Sequence, residues 1–387
     1  MEMKKTLLVC LAMGLALAGC TTRKLPVVDA ETHATPQEKP LKVGVYAGRG
    51  PGGVGFMEWL RLVEESPDME LKLLDGQGVR QGGLDGLDLL VMPGGSSIAE
   101  FESLGTNGVA KMKDFIRKGG GYIGTCAGCC LLMDGKKQRA NVIPWDSRGS
   151  ERDLLFPQFK LTDAGRKALN VTNRTVVMRY HGGPFMWPTT NRIEGAKFEL
   201  WGTFDAEATL RGELKKQRRM YGAAAIVGGT YGKGRVFATS AHPEYFDSTL
   251  DIVKGAFRYV SGRTVSFQPR MRAPRALSVG FLTSFAASIE LAEDVLALSR
   301  ERDFDLVPIN GDGIFTRALD HLDVLVVPSA AKGLTPVSRR LIQSFAARGG
   351  KVVAYDTGVK LLPAGGTACA SRQEVIPAIR ALFPKQK

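Results

Sequence analysis

The stretch GGGYIGTCAG, residues 119–128, predicts a glycine turn, a short buried strand and a sharp bend into a helix. Working outward, a helix is predicted over 109–118, and the earlier segments alternate between strand and helix. The predicted strands are 41–46, 71–74 and 87–92, and the predicted helix between the first two is 56–63. This alternation is typical of an α/β fold, here a doubly wound (flavodoxin-like) parallel sheet with helices on both faces.

The alternation of strands and helices ends after the bend at residues 124–128. Residues 139–201 read as loops and short strands, which predicts an inserted β-rich region. A hairpin follows, with strands over 223–230 and 234–240 around a turn at 231–233. Its second strand leads directly into His242.

Cys126 is the candidate nucleophile. Small residues on both sides, Gly124 and Gly128, permit the strained bend of a nucleophile elbow. A thiol needs a base to form thiolate, and the base needs a carboxylate to orient it. His242 and Glu244 are the candidates for these two roles.

The amide groups of Gly94, Gly95 and Ala127 are candidates for the oxyanion site. Gly94 and Gly95 follow the third predicted strand, and Ala127 begins the helix after the elbow, whose N-terminus also favours a thiolate. All these groups fall at the carboxyl ends of parallel strands, where open α/β sheets bind ligands.

Each feature also has an ordinary structural interpretation. Cys126 could be a small buried apolar residue, His242 a satisfied histidine at a strand end, and the two glycines a tight turn. Cys129 makes a C-x-x-C pattern with Cys126, which leaves open a redox pair or an inactivating disulfide.

Three motifs together resemble the class I glutamine amidotransferase-like superfamily, whose triad is Cys, His and Glu in that order. They are Met92-Pro93-Gly94-Gly95, the elbow at Cys126, and His242-Pro243-Glu244. A narrower resemblance, over about residues 41–262, is to the N-terminal domain of eukaryotic biotin protein ligases and to related bacterial proteins. It rests on Pro93 to Ser96, Phe101 to Gly105, the elbow, and Tyr180-His181-Gly182-Gly183-Pro184.

The resemblance implies a hydrolase or transferase that acts on an amide-like or acyl carbonyl of an unknown small-molecule or peptide substrate. Nothing resembles the catalytic domain of a biotin ligase, and no synthetase domain follows to receive ammonia. We expect neither a cofactor nor a metal. Ser96, Tyr180, His181 and Gly182 are candidates for the substrate pocket, although His181 could equally be a loop histidine. The competing class is a non-catalytic module that binds a ligand or a partner.

A second α/β domain is predicted over 276–387, after a first domain over 41–263 and a basic, proline-containing linker over 264–275. The second domain repeats the first, since 277–280 parallels 41–44 and 322–328 parallels 87–93. In this alignment Asp356 takes the place of Cys126. The second copy is therefore interpreted as degenerate, with a structural or binding role.

The N-terminus resembles a bacterial lipoprotein signal. Two lysines precede an apolar stretch, and Leu17-Ala18-Gly19 stands before Cys20. This predicts a signal peptide over 1–19, lipidation at Cys20, and a polar tether over 20–40, with membrane attachment through acyl chains such as palmitate. A cleaved secretory signal with an incidental cysteine is the alternative. The predicted location is the cell envelope, with the outer membrane favoured over the inner.

Charge and hydropathy exclude some classes. Beyond the first twenty residues no apolar run approaches the roughly 18 residues that span a bilayer. The 387-residue chain carries a formal net charge of +13. Positive charge alone is compatible with nucleic acid. However, the predicted export and the absence of a basic motif interleaved with aromatic residues predict that nucleic acid is not a partner.

Overall fold

The computed structural model describes residues 39–384, apart from 136, 153, 207–219, 268–276, 284–286, 311–313, 315–316 and 329–333. The predicted signal peptide, Cys20, almost all of the tether and most of the linker lie outside the described residues. Within them, no helix combines the length and apolar character that crossing a membrane requires.

Four strand–helix units follow one another over residues 41–132. The strands are β1 (Leu41–Tyr46), β2 (Met69–Leu74), β3 (Leu89–Met92) and β4 (Gly121–Thr125). The helices are α1 (Gly53–Glu64), α2 (Gly76–Arg80), α3 (Ser97–Lys118) and α4 (Ala127–Leu132). The strands are all parallel in the order β2-β1-β3-β4, which confirms the predicted doubly wound α/β class.

Alternate side chains of the parallel strands enter two different cores. Val43 and Val45 of β1 face the core that contains α1, whereas Tyr46 faces the core that contains α3. This period of two arises because successive side chains of a strand point to opposite faces. The sheet is therefore covered by helices on both sides, as the apolar strand sequences predict.

Helix α3 is twelve residues longer at its N-terminus than the predicted helix over 109–118. It begins at Ser97, and the Ser96 hydroxyl caps it by accepting from the Ala99 amide at 3.4 Å. The helix is interrupted at Gly105, where φ is 63° and ψ is 173°. Glycine tolerates this positive φ, so two helical stretches meet at Gly105. The break interrupts the apolar periodicity, and the pattern before it therefore does not predict a helix.

The inserted β-rich region adds antiparallel strands to one side of the parallel sheet. Strand β11 (Gly234–Thr239) lies parallel to β4, and the predicted hairpin joins it to β10 (Ala224–Tyr231). The sheet continues through β9, β6 and β7, while β8 pairs with β10 and with β5. The remaining elements up to residue 263 are β5 (Trp145–Ser147), β6 (Gln158–Leu161), α5 (Asp163–Leu169), β7 (Thr175–Val177), β8 (Met186–Pro188), β9 (Ala196–Phe204) and α6 (Leu250–Ser261).

A second sheet, in the part of the chain that we call the second lobe (residues 277–384), repeats the parallel part of the sheet in the first lobe (residues 41–263). Its strands are all parallel in the order β13-β12-β14-β15-β16. The elements are β12 (Leu277–Leu282), α7 (Ile289–Ser299), β13 (Phe304–Ile309), β14 (Val324–Val327), α8 (Pro336–Ala347), β15 (Lys351–Tyr355), β16 (Thr367–Cys369) and α9 (Val375–Leu382).

Equivalent aspartates, Asp88 and Asp323, directly precede the third strand of each lobe. The Asp88 carboxylate accepts from the Lys42 amide at 2.7 Å, and the Asp323 carboxylate accepts from the Ser278 amide at 2.8 Å. Both therefore fix the start of a third strand beside the start of a first strand. This shared detail adds to the sequence parallel between the two lobes.

Helix α1 lies against both sheets. Residues 40–387 form one compact unit, and α1 packs on α7 and β13 as well as on β1 and β2. Its side chains are buried from Val54 to Leu60, and one core cluster contains both Trp59 of α1 and Phe281 of β12. The two lobes thus share a core, while the domain boundaries at 263 and 276 stay predictions.

Candidate functional site

Cys126 lies at the turn between β4 and α4 with φ 50° and ψ −103°. A Cβ added to Gly128 would lie 2.1 Å from the Met92 carbonyl oxygen, and one added to Gly124 would lie 2.8 Å from the backbone of Gly128. The elbow therefore requires both glycines for close backbone approach, as the sequence predicts. A non-glycine residue at positive φ stores strain, which is found disproportionately at functional sites.

His242 and Glu244 follow the end of β11 and form a buried pair. The Nδ1 atom of His242 lies 2.8 Å from Oε1 of Glu244. The His242 amide donates to the Arg179 carbonyl at 2.9 Å, which fixes the backbone of the pair. His242 is 5% exposed and Glu244 is 1% exposed, so their interaction is shielded from water.

The imidazole of His242 and the side chain of Cys126 meet over Gly94. A Cβ built on Gly94 would lie 2.6 Å from Cε1 of His242 and 3.1 Å from Cβ of Cys126. The sequence-predicted cysteine, histidine and glutamate are thus brought together, with Gly94 beneath them. The absence of a side chain at residue 94 leaves the space in which imidazole and sulfur approach each other.

The electrostatic environment favours protonated His242. Burial alone would lower its pKa, but the Glu244 carboxylate and hydrogen bonding with Cys126 outweigh burial and raise the pKa to about 9. The ring is therefore an imidazolium at pH 7. The charged ring lies beside the side chain of Cys126.

Three backbone amides near Cys126 lack an acceptor among the residues that the structure describes. They belong to Gly94, Gly95 and Ala127, the candidates for the oxyanion site. Gly95 has φ 151°, and a Cβ there would lie 2.1 Å from the Gly50 carbonyl oxygen. The turn after β3 is therefore held close to the loop after β1.

The segment 180–182 covers the nucleophile. The Cys126 thiol donates to the His181 carbonyl at 3.5 Å, and Cys126 is only 6% exposed. Tyr180 is fully buried, with its hydroxyl bonded to the Gly183 carbonyl and the Glu151 amide. Gly182 is exposed and has φ 75°. Of these pocket candidates, His181 thus reaches the sulfur through its backbone, and Tyr180 anchors the segment.

Ser96 occupies a structural position as the cap of α3, and its amide donates to the Gly50 carbonyl at 2.9 Å. It lies directly after the two candidate oxyanion glycines. Its placement therefore ties the first turn of α3 to the loop after β1.

The cysteines that follow the elbow lie in different surroundings. Cys129 is fully buried with its sulfur 3.4 Å from Sδ of Met186, and burial raises the pKa of its thiol. Cys130 is partly exposed, and Arg139 bonds both its carbonyl and its sulfur. The described cysteines are all free. Cys129 is thus a buried residue of α4 that belongs to a hydrophobic core.

Glu100 is a buried acid that the sequence reasoning missed. It is 0% exposed, and neither carboxyl oxygen has a hydrogen-bond partner. Burial is the main cause that raises its pKa well above the usual range, the nearby Cys126 adds to the rise, and Arg139 partly offsets it. Burial therefore favours the neutral, protonated form of Glu100.

Residues 85–131 match the family described as biotin-protein ligase, N terminal. The match covers β3, α3, β4, Cys126 and most of α4. A search among curated proteins gives no significant match.

Several solved structures are similar to part of this chain. A ThuA-like protein from Bacteroides uniformis is 10% identical, with a TM-score of 0.45 over 59% of this chain and 94% of that one. A glutamine amidotransferase is 19% identical, with a TM-score of 0.38 over 57% and 99%. PurLQS from Thermotoga maritima is 11% identical, with a TM-score of 0.40 over 57% and 99%.

Two further features of the site escaped the sequence reasoning. One is Gly55 of α1, where a Cβ would lie 2.7 Å from Oε1 of Glu244 and 2.8 Å from Nδ1 of His242. The glycine-rich run over 48–55 was the available signal for such a close approach. The other is the His181 carbonyl, and a backbone group leaves no signal in residue type. Among the described residues no group of three His, Cys, Asp or Glu could hold a metal ion.

Proposed function

We propose that the chain is a cysteine hydrolase or transferase that acts on an amide-like or acyl carbonyl. The observation that carries this proposal is the imidazole of His242, placed between Oε1 of Glu244 and Cys126. This order of groups gives a nucleophile, a proton carrier and an orienting carboxylate. The match over 85–131 supports membership of the class I glutamine amidotransferase-like superfamily, in its branch of biotin-protein-ligase N-terminal domains.

The reaction follows from the roles of the three side chains. The Cys126 thiolate forms a bond to the carbonyl carbon, and the negative charge moves to the carbonyl oxygen, where the amides of Gly94, Gly95 and Ala127 stabilise it. The bond to the leaving group then breaks, and the leaving group takes the proton from Nε2 of His242. Water, or another acceptor, attacks the thioester with His242 as base and releases the acyl group.

Reaction with iodoacetamide and with p-nitrophenyl acetate tests the proposal. Both are followed at Cys126 by peptide mass spectrometry, in the chain with Cys20→Ser. We expect His242→Gln to slow both reactions at pH 7 by at least tenfold, because the imidazolium next to the sulfur is removed. His321→Gln replaces an exposed histidine of the second lobe and is the matched control. Equal rates in the wild type and His242→Gln would refute the triad.

A non-catalytic binding module is the second candidate. The observation that favours it is the burial of Cys126 beneath the His181 carbonyl. A binding module would retain its ligand or partner with Cys126→Ala, whereas the enzyme would lose turnover completely. A wild-type sulfur as unreactive as that of His242→Gln would support this candidate.

We also propose that the chain is an envelope lipoprotein anchored through Cys20, with the outer membrane as its site. The support is the sequence of residues 1–20. Labelled palmitate should be incorporated into the wild type in a bacterial host and not into Cys20→Ser. The labelled protein should fractionate with the outer membrane. Equal labelling of the two forms would overturn lipidation at Cys20.

A further inference from the structure

The loop over residues 47–52, between β1 and α1, is joined to the candidate oxyanion turn. The Gly52 amide donates to the Gly94 carbonyl at 3.0 Å, and the Ser96 amide donates to the Gly50 carbonyl at 2.9 Å. These two bonds flank Gly95, which approaches Pro51 as an isolated antiparallel bridge. A displacement of the loop would therefore move the amides of Gly94 and Gly95.

Helix α1 continues from this loop and contacts the other parts of the site. Gly55 lies directly against the hydrogen bond between His242 and Glu244. One helical turn further on, the indole N–H of Trp59 donates to the hydroxyl of Thr125 at 3.2 Å, next to Cys126. The loop and the helix together thus touch the oxyanion turn, the histidine–glutamate pair and the residue before the nucleophile.

The second lobe holds this segment at both ends. At the start, the Ala287 amide donates to the Pro51 carbonyl at 3.1 Å. At the end of α1, Arg300 bonds the Glu64 carboxylate. Between these points α7 packs along α1. Ala287 directly precedes Ser288, whose side chain caps α7, so the bond to Pro51 comes from the residue before the N-cap of that helix.

We propose that the second lobe is a positioning element of the site in the first lobe, and that Ala287 holds the Gly94–Gly95 turn in place through Pro51. The oxyanion role of that turn rests on the proposed function, whereas the mechanical link rests on the hydrogen bonds. The second copy has therefore lost its own cysteine and kept a role in the chemistry of the first.

The expected effect on the reaction follows from the directionality of the amides. Backbone donors stabilise an oxyanion only when they point at the position where the charge develops, and the loss of one donor costs about 10²- to 10³-fold in rate. A loosened turn would misdirect the donors without removing them. We therefore expect a smaller loss that is confined to reactions that form an oxyanion.

The variant Ala287→Pro removes the amide hydrogen, and Ala287→Val keeps it at a similar side-chain size. Both are made in the full chain with Cys20→Ser. Reaction of p-nitrophenyl acetate at Cys126 forms an oxyanion, whereas alkylation by iodoacetamide does not. We expect Ala287→Pro to slow acetylation about tenfold relative to Ala287→Val and to change alkylation less than twofold. Equal acetylation in the two variants, or an equal loss of both reactions, would overturn the proposal.

Amide hydrogen exchange tests the mechanical link without any reaction. In Ala287→Pro, the amides of Gly52 and Ser96 should exchange at least tenfold faster than in Ala287→Val, and unchanged rates would overturn the link. In the wild type, these amides should open together with that of Ala287, because cooperative units exchange as one. Exchange of Gly52 and Ser96 independent of Ala287 would refute the link even if the proline variant does not fold.

The same data separate the two proposals. If the wild type and Cys126→Ser give the same amount of acetylated protein, the proposed function fails, and the exchange rates still decide the positioning role. If acetylation at Cys126 is normal in Ala287→Pro, the positioning role fails and the proposed function stands.

Discussion

Asp356 occupies in the second lobe the position that Cys126 occupies in the first. Cys126 follows the last residue of β4, Asp356 follows the last residue of β15, and both have φ 50°. The strand orders around the two positions are the same. The bent turn has therefore been retained where the sulfur has not, and the geometry of the elbow belongs to the fold as much as to the chemistry.

The strain at Asp356 predicts a stabilising substitution. Asp356 is exposed, and a residue other than glycine at positive φ costs about 1–3 kcal/mol, whereas the flexibility of glycine in the unfolded chain costs roughly 0.5–1 kcal/mol. We expect Asp356→Gly to raise the free energy of unfolding by about 1 kcal/mol in urea denaturation. Lys360→Gly, at an exposed position without positive φ in the same turn, should lower it. A loss of stability in Asp356→Gly would show that the aspartate side chain stabilises the turn.

Gly55→Ala should disrupt the pair formed by His242 and Glu244. In a helix, alanine is normally favoured over glycine by about 1 kcal/mol. Here the added methyl meets two buried polar atoms at 2.7 and 2.8 Å, so overpacking of about 1–3 kcal/mol outweighs the helical gain. We expect lower stability and at least tenfold slower alkylation of Cys126. Gly108→Ala in α3 is the helical control, and unchanged alkylation in Gly55→Ala would contradict the close approach.

The raised pKa of His242 predicts a decline of stability with pH. Its pKa is about 9 in the fold and about 6.5 in an unfolded chain, so the folded state binds the proton more tightly. This contribution, up to about 3 kcal/mol, is fully present below pH 6.5 and is lost as the pH rises to about 9. The difference in unfolding free energy between wild type and His242→Gln should shrink over this range. A constant difference would rule out the raised pKa.

Glu100→Gln should stabilise the protein at neutral and alkaline pH. The fold favours the protonated form of this acid, which ionises near pH 4.3 in the unfolded chain, so its contribution to stability falls as the pH rises above about 4.3. The amide cannot ionise, so the advantage of the variant should grow with pH in thermal denaturation. Glu102→Gln, on the exposed side of α3, is the control and should have little effect. Parallel curves for Glu100→Gln and the wild type would contradict this prediction.

Local patterns allowed the elbow and its partners to be predicted. The glycines around Cys126, and the two-residue spacing of His242 and Glu244 after a strand, are short-range signals, and the structure brings these side chains together. The equivalence of Asp356 and Cys126 could also be read from the repeat. These features depend on residues that are neighbours in sequence or in a duplicated unit.

Long-range relationships escaped the sequence reasoning. The apolar sequence of α1 predicts that the helix is buried, but it does not predict that a second sheet covers it. In the antiparallel part of the first sheet, β6 pairs with β9 although β7 and β8 lie between them in the chain, and no local pattern predicts this pairing. Glu100 lies in a helix whose early part was missed because Gly105 interrupts its periodicity.

The burial of α1 on all sides has a consequence for comparing related chains. A protein with only the first lobe would expose one side of this helix to water and would require polar side chains there. In this chain the stretch from Val54 to Leu60 is buried throughout, so the apolar sequence of α1 reflects its packing against the second lobe. In a collection of homologous sequences, the polarity of α1 alone should sort one-lobed from two-lobed chains, even where the C-terminal half is too diverged to align.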